Sequence, residues 1–219
     1  MPFEINPGPC EISETAAPIL PISPGLHLPF NSRFHGGVQP ATRAAVFLDR
    51  DGVLVRDVHY LRKASQIELL PCATSLRALQ ERFYLVVATN QSGVARGFFT
   101  EENLLTIHSE LVLLLAAQGA TIDAFYYCPH LESGAVDRYK VACNCRKPKP
   151  GMLLRATAER GIDIRRSYMI GDSVRDMKAG KAGGLAKNIL LAGAPEVDEE
   201  YTCVKDLAQA VQIILVGAA

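Results

Sequence analysis

The sequence has no excess of either charge: 23 lysines and arginines stand against 23 aspartates and glutamates. It therefore lacks the broad positive field by which proteins adhere to nucleic acid or to an anionic membrane, and any anionic ligand has to be held by local groups. It has no long apolar run either. The longest, Leu111 to Ala117, is far short of the roughly 20 residues that cross a bilayer. The first 40 residues, with Glu4, Glu11, Glu14 and eight prolines, lack the basic and apolar regions of a secretory leader. No internal repeat is visible. These absences predict a protein that is not exported and has no nucleic-acid and no membrane partner; Cys128, Cys143 and Cys145 clustered with His130 suggest thiolates kept reduced, which points to the cytoplasm, and a monomer is expected.

The length of 219 residues suits one well-filled core with appendages. Residues 1–42 are rich in proline and glycine and sustain no apolar period, which predicts an N-terminal arm; Ile19, Leu20, Ile22, Leu26, Leu28 and Phe30 would lay it against the core surface. Residues 43–219 are the expected domain. From Arg43 on, short apolar runs alternate with helical segments, the pattern of a doubly wound, Rossmann-like parallel sheet of the α/β class. Strands are predicted at 44–49, 83–89, 123–128, 167–171 and 187–191, and helices near 71–82, 100–118, 150–160, 174–183 and 204–215. Pro71 and Pro150 suit first helical positions, and Thr100 suits an N-cap.

A sheet of this kind collects its ligand beyond the carboxyl ends of its strands. Strand one runs into Asp49-Arg50-Asp51-Gly52, two carboxylates able to share a hard cation while one attacks and the other manages protons. Strand two runs into Thr89-Asn90-Gln91-Ser92-Gly93, polar groups and backbone N–H able to cradle an anion. A later loop carries Arg146-Lys147-Pro148-Lys149-Pro150, where a lysine ahead of a helix N-terminus can neutralise a transferring group. Strand four runs into Gly171-Asp172-Ser173, with Asp176 four residues beyond Asp172, placed to orient a metal ligand or a neighbouring lysine. Each cluster alone reads equally well as a polar turn or a cap. Their succession at four strand ends is much harder to ascribe to chance.

Between them, Cys128-Pro129-His130, twelve residues and Cys143-Asn144-Cys145 supply three thiolates and an imidazole, a composition suited to a closed structural Zn²⁺ site. Cys10, Cys72 and Cys203 fit no ligand spacing and are expected to be buried as small apolar residues.

The ordered motifs over residues 44–192 resemble those of the haloacid-dehalogenase-like superfamily. The resemblance implies that Asp49 attacks phosphorus, that Asp51 is the acid and base, and that Thr89 and Lys147 stabilise the phosphoryl oxygens. It further implies Mg²⁺ held by Asp49, Asp172 and the Asp51 carbonyl. ATNQSGVARG, CRKPKPGM and the zinc loop resemble the branch containing heptose-bisphosphate and histidinol-phosphate phosphatases, which has no large cap domain. The ARG tripeptide and the twelve-residue gap lean towards the heptose side. A phosphorylated sugar is thus the implied substrate, histidinol phosphate the alternative, and a catalytically inactive zinc-stabilised interaction protein a reading from another class. Substrate contacts are expected from Asp57, Tyr60, Asn90, Ser92, Arg96, Arg146 and Ser173, with Arg96, Arg146 and Lys149 available to a second anionic group. The chain departs from that pattern at Val53, Val55 and Ser173, and at His59, which stands where relatives have glycine and is expected on the surface.

Overall fold

The structure is a computed structural model that describes residues 42–192 and 200–217. The predicted arm lies almost wholly outside the described residues, as does Cys10. Six strands form one parallel sheet: β1 (Ala45–Leu48), β2 (Tyr84–Asn90), β3 (Ala124–Cys128), β4 (Tyr168–Gly171), β5 (Lys187–Leu191) and β6 (Thr202–Val204), in the order β3-β2-β1-β4-β5-β6. Among the described residues, five α-helices cover it: α1 (Ala73–Gln80), α2 (Glu101–Ala117), α3 (Gly151–Arg160), α4 (Val174–Gly183) and α5 (Leu207–Gly217).

Period-two alternation assigns the two faces. Val46 and Leu48 of β1 join Leu76 of α1, Leu111 of α2 and Val211 of α5, whereas Ala45 and Phe47 join Leu153 of α3 and Met177 of α4. Apolar side chains are thus buried on both sides, which is why the inner strands β1, β2 and β4 read as nearly continuous apolar runs. β6 was not foreseen, because three residues on a sheet edge carry too little pattern, and the helix expected from 204 begins instead at Leu207. Pro71 and Pro150 lie just outside their helices rather than at the first helical position: Cys72 is the N-cap of α1 and Pro150 that of α3. Thr100 is the N-cap of α2, its side chain accepting from the Asn103 N–H.

The strand order reverses between β1 and β4, which opens the crevice where such folds bind ligands. Parallel register pairs Leu48 with Ile170, and the Asp49 N–H donates to the Ile170 carbonyl at 3.0 Å. The residues that follow, Asp49 and Asp172, are therefore set side by side. Among the described residues, the β1–α1 and β3–α3 connections hold only isolated bridges and single 3₁₀ turns, so neither carries a folded cap.

Candidate active site

A cavity of about 470 Å³ lies at the carboxyl ends of β1, β2 and β4. Asp49, Asp51, Thr89, Asn90, Ser92, Arg146, Asp172 and Ser173 line it together with Asp57 and Tyr60. Arg96 and Lys149 do not; both are exposed, and the Lys149 ammonium donates to the Cys143 carbonyl at 2.8 Å. Four lining residues were not singled out from sequence as site residues: His59, Gln91, Gly93 and Arg175. His59 is exposed as expected, yet it borders the cavity, and its φ of 66° is a conformation that glycine adopts freely. That strained backbone explains why glycine suits the position. Val53 and Val55 are buried in the core and do not line the cavity.

Two glycines let the acids approach. A Cβ on Gly52, where φ is 75°, would sit 2.1 Å from Asp172 Oδ2, and one on Gly171 would sit 2.4 Å from the Asp176 Cβ. The first turn of α4 then fixes Asp176, whose Oδ2 accepts from the Ser173 N–H at 3.1 Å in a capping box.

Lys147 is buried behind the nucleophile candidate rather than exposed to the cavity. Its ammonium lies 3.1 Å from Asp49 Oδ2 and 2.5 Å from Asp176 Oδ1, and donates to the Ala88 carbonyl at 2.7 Å. The ammonium thus faces two carboxylates and one carbonyl. Asn90 holds the lysine's backbone from both sides, its amide donating to the Lys147 carbonyl and its carbonyl accepting from the Lys147 N–H, each at 3.0 Å. Burial disfavours the Lys147 charge, but Asp49 and Asp176 outweigh it and the net direction is upward.

One ammonium cannot balance three acids. Asp49, Asp172 and Asp176 offer oxygens within 4.8 Å of one another. Burial first, and then the Asp49 and Asp176 charges, push the Asp172 carboxyl up to about 7; burial and Asp49, opposed by Lys147, push Asp176 up to about 6. This residual negative charge, lined with hard oxygen donors, fits a divalent cation such as Mg²⁺. Asp176 is spent on Lys147 and the helix cap, which leaves Asp49 and Asp172 facing the cavity.

At the end of β3 the second cluster forms. Cys128 Sγ lies 3.5 Å from Cys143 Sγ and 3.3 Å from Cys145 Sγ, and His130 Nδ1 lies 3.3 Å from Cys145 Sγ. Four ligand atoms at these separations surround a point as a tetrahedral Zn²⁺ site requires. The loop has outside anchors as well. Tyr127 and Tyr139 both donate to the Glu101 carboxylate, and Arg146 donates to the His130 carbonyl at 3.3 Å. Cys72 is buried as expected; Cys203, on the edge strand, is only half-buried.

Comparison with known proteins matches this architecture. The family model described as HAD-hydrolase-like matches residues 144–210. A solved structure of a HAD-like phosphatase from Mesorhizobium loti superposes with a TM-score of 0.73 at 32% identity, covering 83% of this chain and 92% of that one. The fold and the site define a haloacid-dehalogenase-like hydrolase. D-glycero-beta-D-manno-heptose-1,7-bisphosphate 7-phosphatase of Yersinia pestis is 40% identical over 164 residues, 74% of this chain and 87% of that protein. The D,D-heptose 1,7-bisphosphate phosphatase of B. bronchiseptica, solved with magnesium and phosphate, superposes with a TM-score of 0.68 at 31% identity over 80% of this chain and 99% of that one. The chain belongs to this heptose-bisphosphate phosphatase family.

Proposed function

We propose that this chain is a Mg²⁺-dependent phosphatase that removes one phosphate from a D-glycero-D-manno-heptose 1,7-bisphosphate, the 7-phosphate being the one its relatives are named for. The observation that carries the reading is the meeting of Asp49 and Asp172 at one cavity floor, with Lys147 paired to Asp49 from behind, although the three come from segments far apart in the chain. Residues 43–219 form the catalytic unit and residues 1–42 an arm. No described helix is long and apolar enough to cross a membrane; a diffusible sugar phosphate and thiolate metal ligands fit a cytoplasmic monomer.

In this reading an Asp49 carboxylate oxygen attacks phosphorus and the bond to the sugar oxygen breaks. Asp51 gives its proton to the departing alkoxide, then takes one from the water that attacks the aspartyl-phosphate, so that phosphate leaves and both carboxyls are restored. A divalent cation held by Asp49, Asp172 and the Asp51 carbonyl would offset charge on the phosphoryl oxygens. Lys147 acts from behind, balancing and orienting Asp49. Gln91 donates to Thr89 Oγ1 at 2.9 Å, which leaves the threonine's own proton free for a phosphoryl oxygen. Arg146 and Arg175 border the cavity, and a bisphosphate presents a second anion to them. Arg175 is oriented by its Nε–H bond to Ser173 Oγ at 3.0 Å. Asn90 and Ser92 form the cavity side nearest the phosphate, with Asp57 and Tyr60 at the sugar.

Turnover of the heptose bisphosphate, histidinol phosphate and a simple aryl phosphate, each with and without Mg²⁺, tests this reading. The bisphosphate is expected to have the highest kcat/KM, and Asp49→Asn to abolish all three activities. Preference for histidinol phosphate would overturn the substrate, and full activity in Asp49→Asn would overturn the mechanism.

A further inference from the structure

Arg50 heads the fully buried side chains by size, at 1% exposure, although it is charged and stands between the two acids of the first motif. A buried guanidinium is costly unless its donors are met. Here they are met by a built network. Nε and Nη2 donate to Asp51 Oδ1 at 3.2 and 3.0 Å, Nη2 donates to Asp51 Oδ2 at 2.9 Å and to Gln91 Oε1 at 3.0 Å, and Nη1 lies 3.3 Å from His108 Nε2. Gln91 closes the ring by donating to Asp51 Oδ2 at 3.0 Å. Both Asp51 oxygens are therefore gripped, while its side chain keeps 25% exposure at the cavity.

His108 comes from α2, outside every motif at the strand ends. Facing a guanidinium, its Nε2 has to accept, which fixes the neutral tautomer with hydrogen on Nδ1, and that atom is buried without a partner among the described residues. Burial first, and the Arg50 charge second, hold the imidazole well below its usual pKa, in keeping with a neutral acceptor. The ring is set by stacking on Phe125, with centroids 4.7 Å apart. An orphaned buried polar atom is expensive, and a leucine would fill an apolar site without one. Among the described residues, the one polar contact the imidazole makes is the bond to Arg50.

We propose that His108 and Gln91 are positioning residues which, through Arg50, hold the Asp51 carboxyl in line with the leaving oxygen of the substrate. The inference rests on the reading of Asp51 as the group that protonates the leaving alkoxide. Its consequence is selective. An alkyl phosphate such as a sugar phosphate needs that proton, whereas an aryl phosphate with an acidic phenol departs as the anion and hardly needs it.

The experiment measures kcat and KM of the full chain with Mg²⁺ on a sugar phosphate and on p-nitrophenyl phosphate, with thermal unfolding as a check on folding. For His108→Leu the ratio of sugar to aryl kcat is expected to fall about tenfold, with KM for the sugar phosphate within threefold of the parent. His108→Gln keeps an acceptor and is expected to restore the ratio to within about threefold. Should His108→Leu fail to fold, His108→Phe, which keeps the stacking on Phe125 but offers no acceptor to Arg50, carries the same expected fall in the ratio. Equal loss on both substrates, or an unchanged ratio in a folded variant, overturns the inference and leaves the phosphatase reading intact. Absence of Mg²⁺-dependent turnover in the unaltered chain would instead overturn that reading.

Discussion

Replacing Lys147 by methionine keeps the aliphatic stem and deletes the ammonium that sits between Asp49 and Asp176. The lysine side chain is 1% exposed, that of Asp176 0% and that of Asp49 13%, so little water can replace the lost charge. At an effective dielectric of ~20, two unit charges 2.5 Å apart attract by about 6–7 kcal/mol, much of which is offset by the desolvation of both groups. The measurable quantity is the cost of leaving the acids uncompensated, about 3–5 kcal/mol for a broken buried pair. For a domain of this size that lowers Tm by about 10 °C. Asp176→Asn in the same background removes one stranded charge, so the double variant should be more stable than the sum of the singles predicts, by about 1–3 kcal/mol. Activity should behave differently: Lys147→Met is expected to lower kcat by about 10²–10³-fold, and Asp176→Asn should not restore it, because Asp49 still lacks its partner. Thermal unfolding and steady-state kinetics on the four proteins check both. If the single effects simply add, and Lys147→Met retains kcat within threefold, the ammonium neither pairs with these acids nor serves the reaction.

Three further outcomes follow from the same geometry. Removing Zn²⁺ with a chelator, or replacing Cys145 by serine, is expected to lower Tm markedly and to reduce activity as a consequence, since Arg146 and Lys147 directly follow the last ligand; metal analysis should find about one zinc per chain. Asp172 and Asp176 have raised carboxyl pKa values, so the metal-free folded state binds more protons than the unfolded chain between about pH 4 and 7, and their contribution to stability is lost as pH rises through that window. The Mg²⁺-induced rise in Tm should accordingly be larger at pH 8 than at pH 5.5. Gly52→Ala puts a methyl group into the Asp172 carboxylate and strains a positive φ, and titration calorimetry should find Mg²⁺ binding weakened at least tenfold.

Among the described residues, five of the six strands, all five α-helices and the four motif clusters were legible along the chain, because strands buried on both faces become apolar runs and the chemistry must follow their ends. The cysteine and histidine spacing likewise announced its cluster. Local signals of this kind need no knowledge of which segments touch. Strand order, by contrast, depends on crossover packing, and only the folded sheet places β1 beside β4 and hence Asp49 beside Asp172. Burial had the same dependence. Lys147 looked like a cation offered to the phosphate, yet its ion pairs with Asp49 and Asp176 and its hydrogen bond to the Ala88 carbonyl hold it behind the cavity. Arg96 carried a family motif but is exposed outside the cavity, while Arg175, without a motif, borders it. His108 on α2 gave no local sign at all, since its partner Arg50 is 58 residues away in sequence and meets it only across the packed core. The order of residues determined which groups were available for the chemistry; their three-dimensional neighbours decided which face substrate and which act from behind, because charge and hydration depend on contacts that the linear chain does not contain.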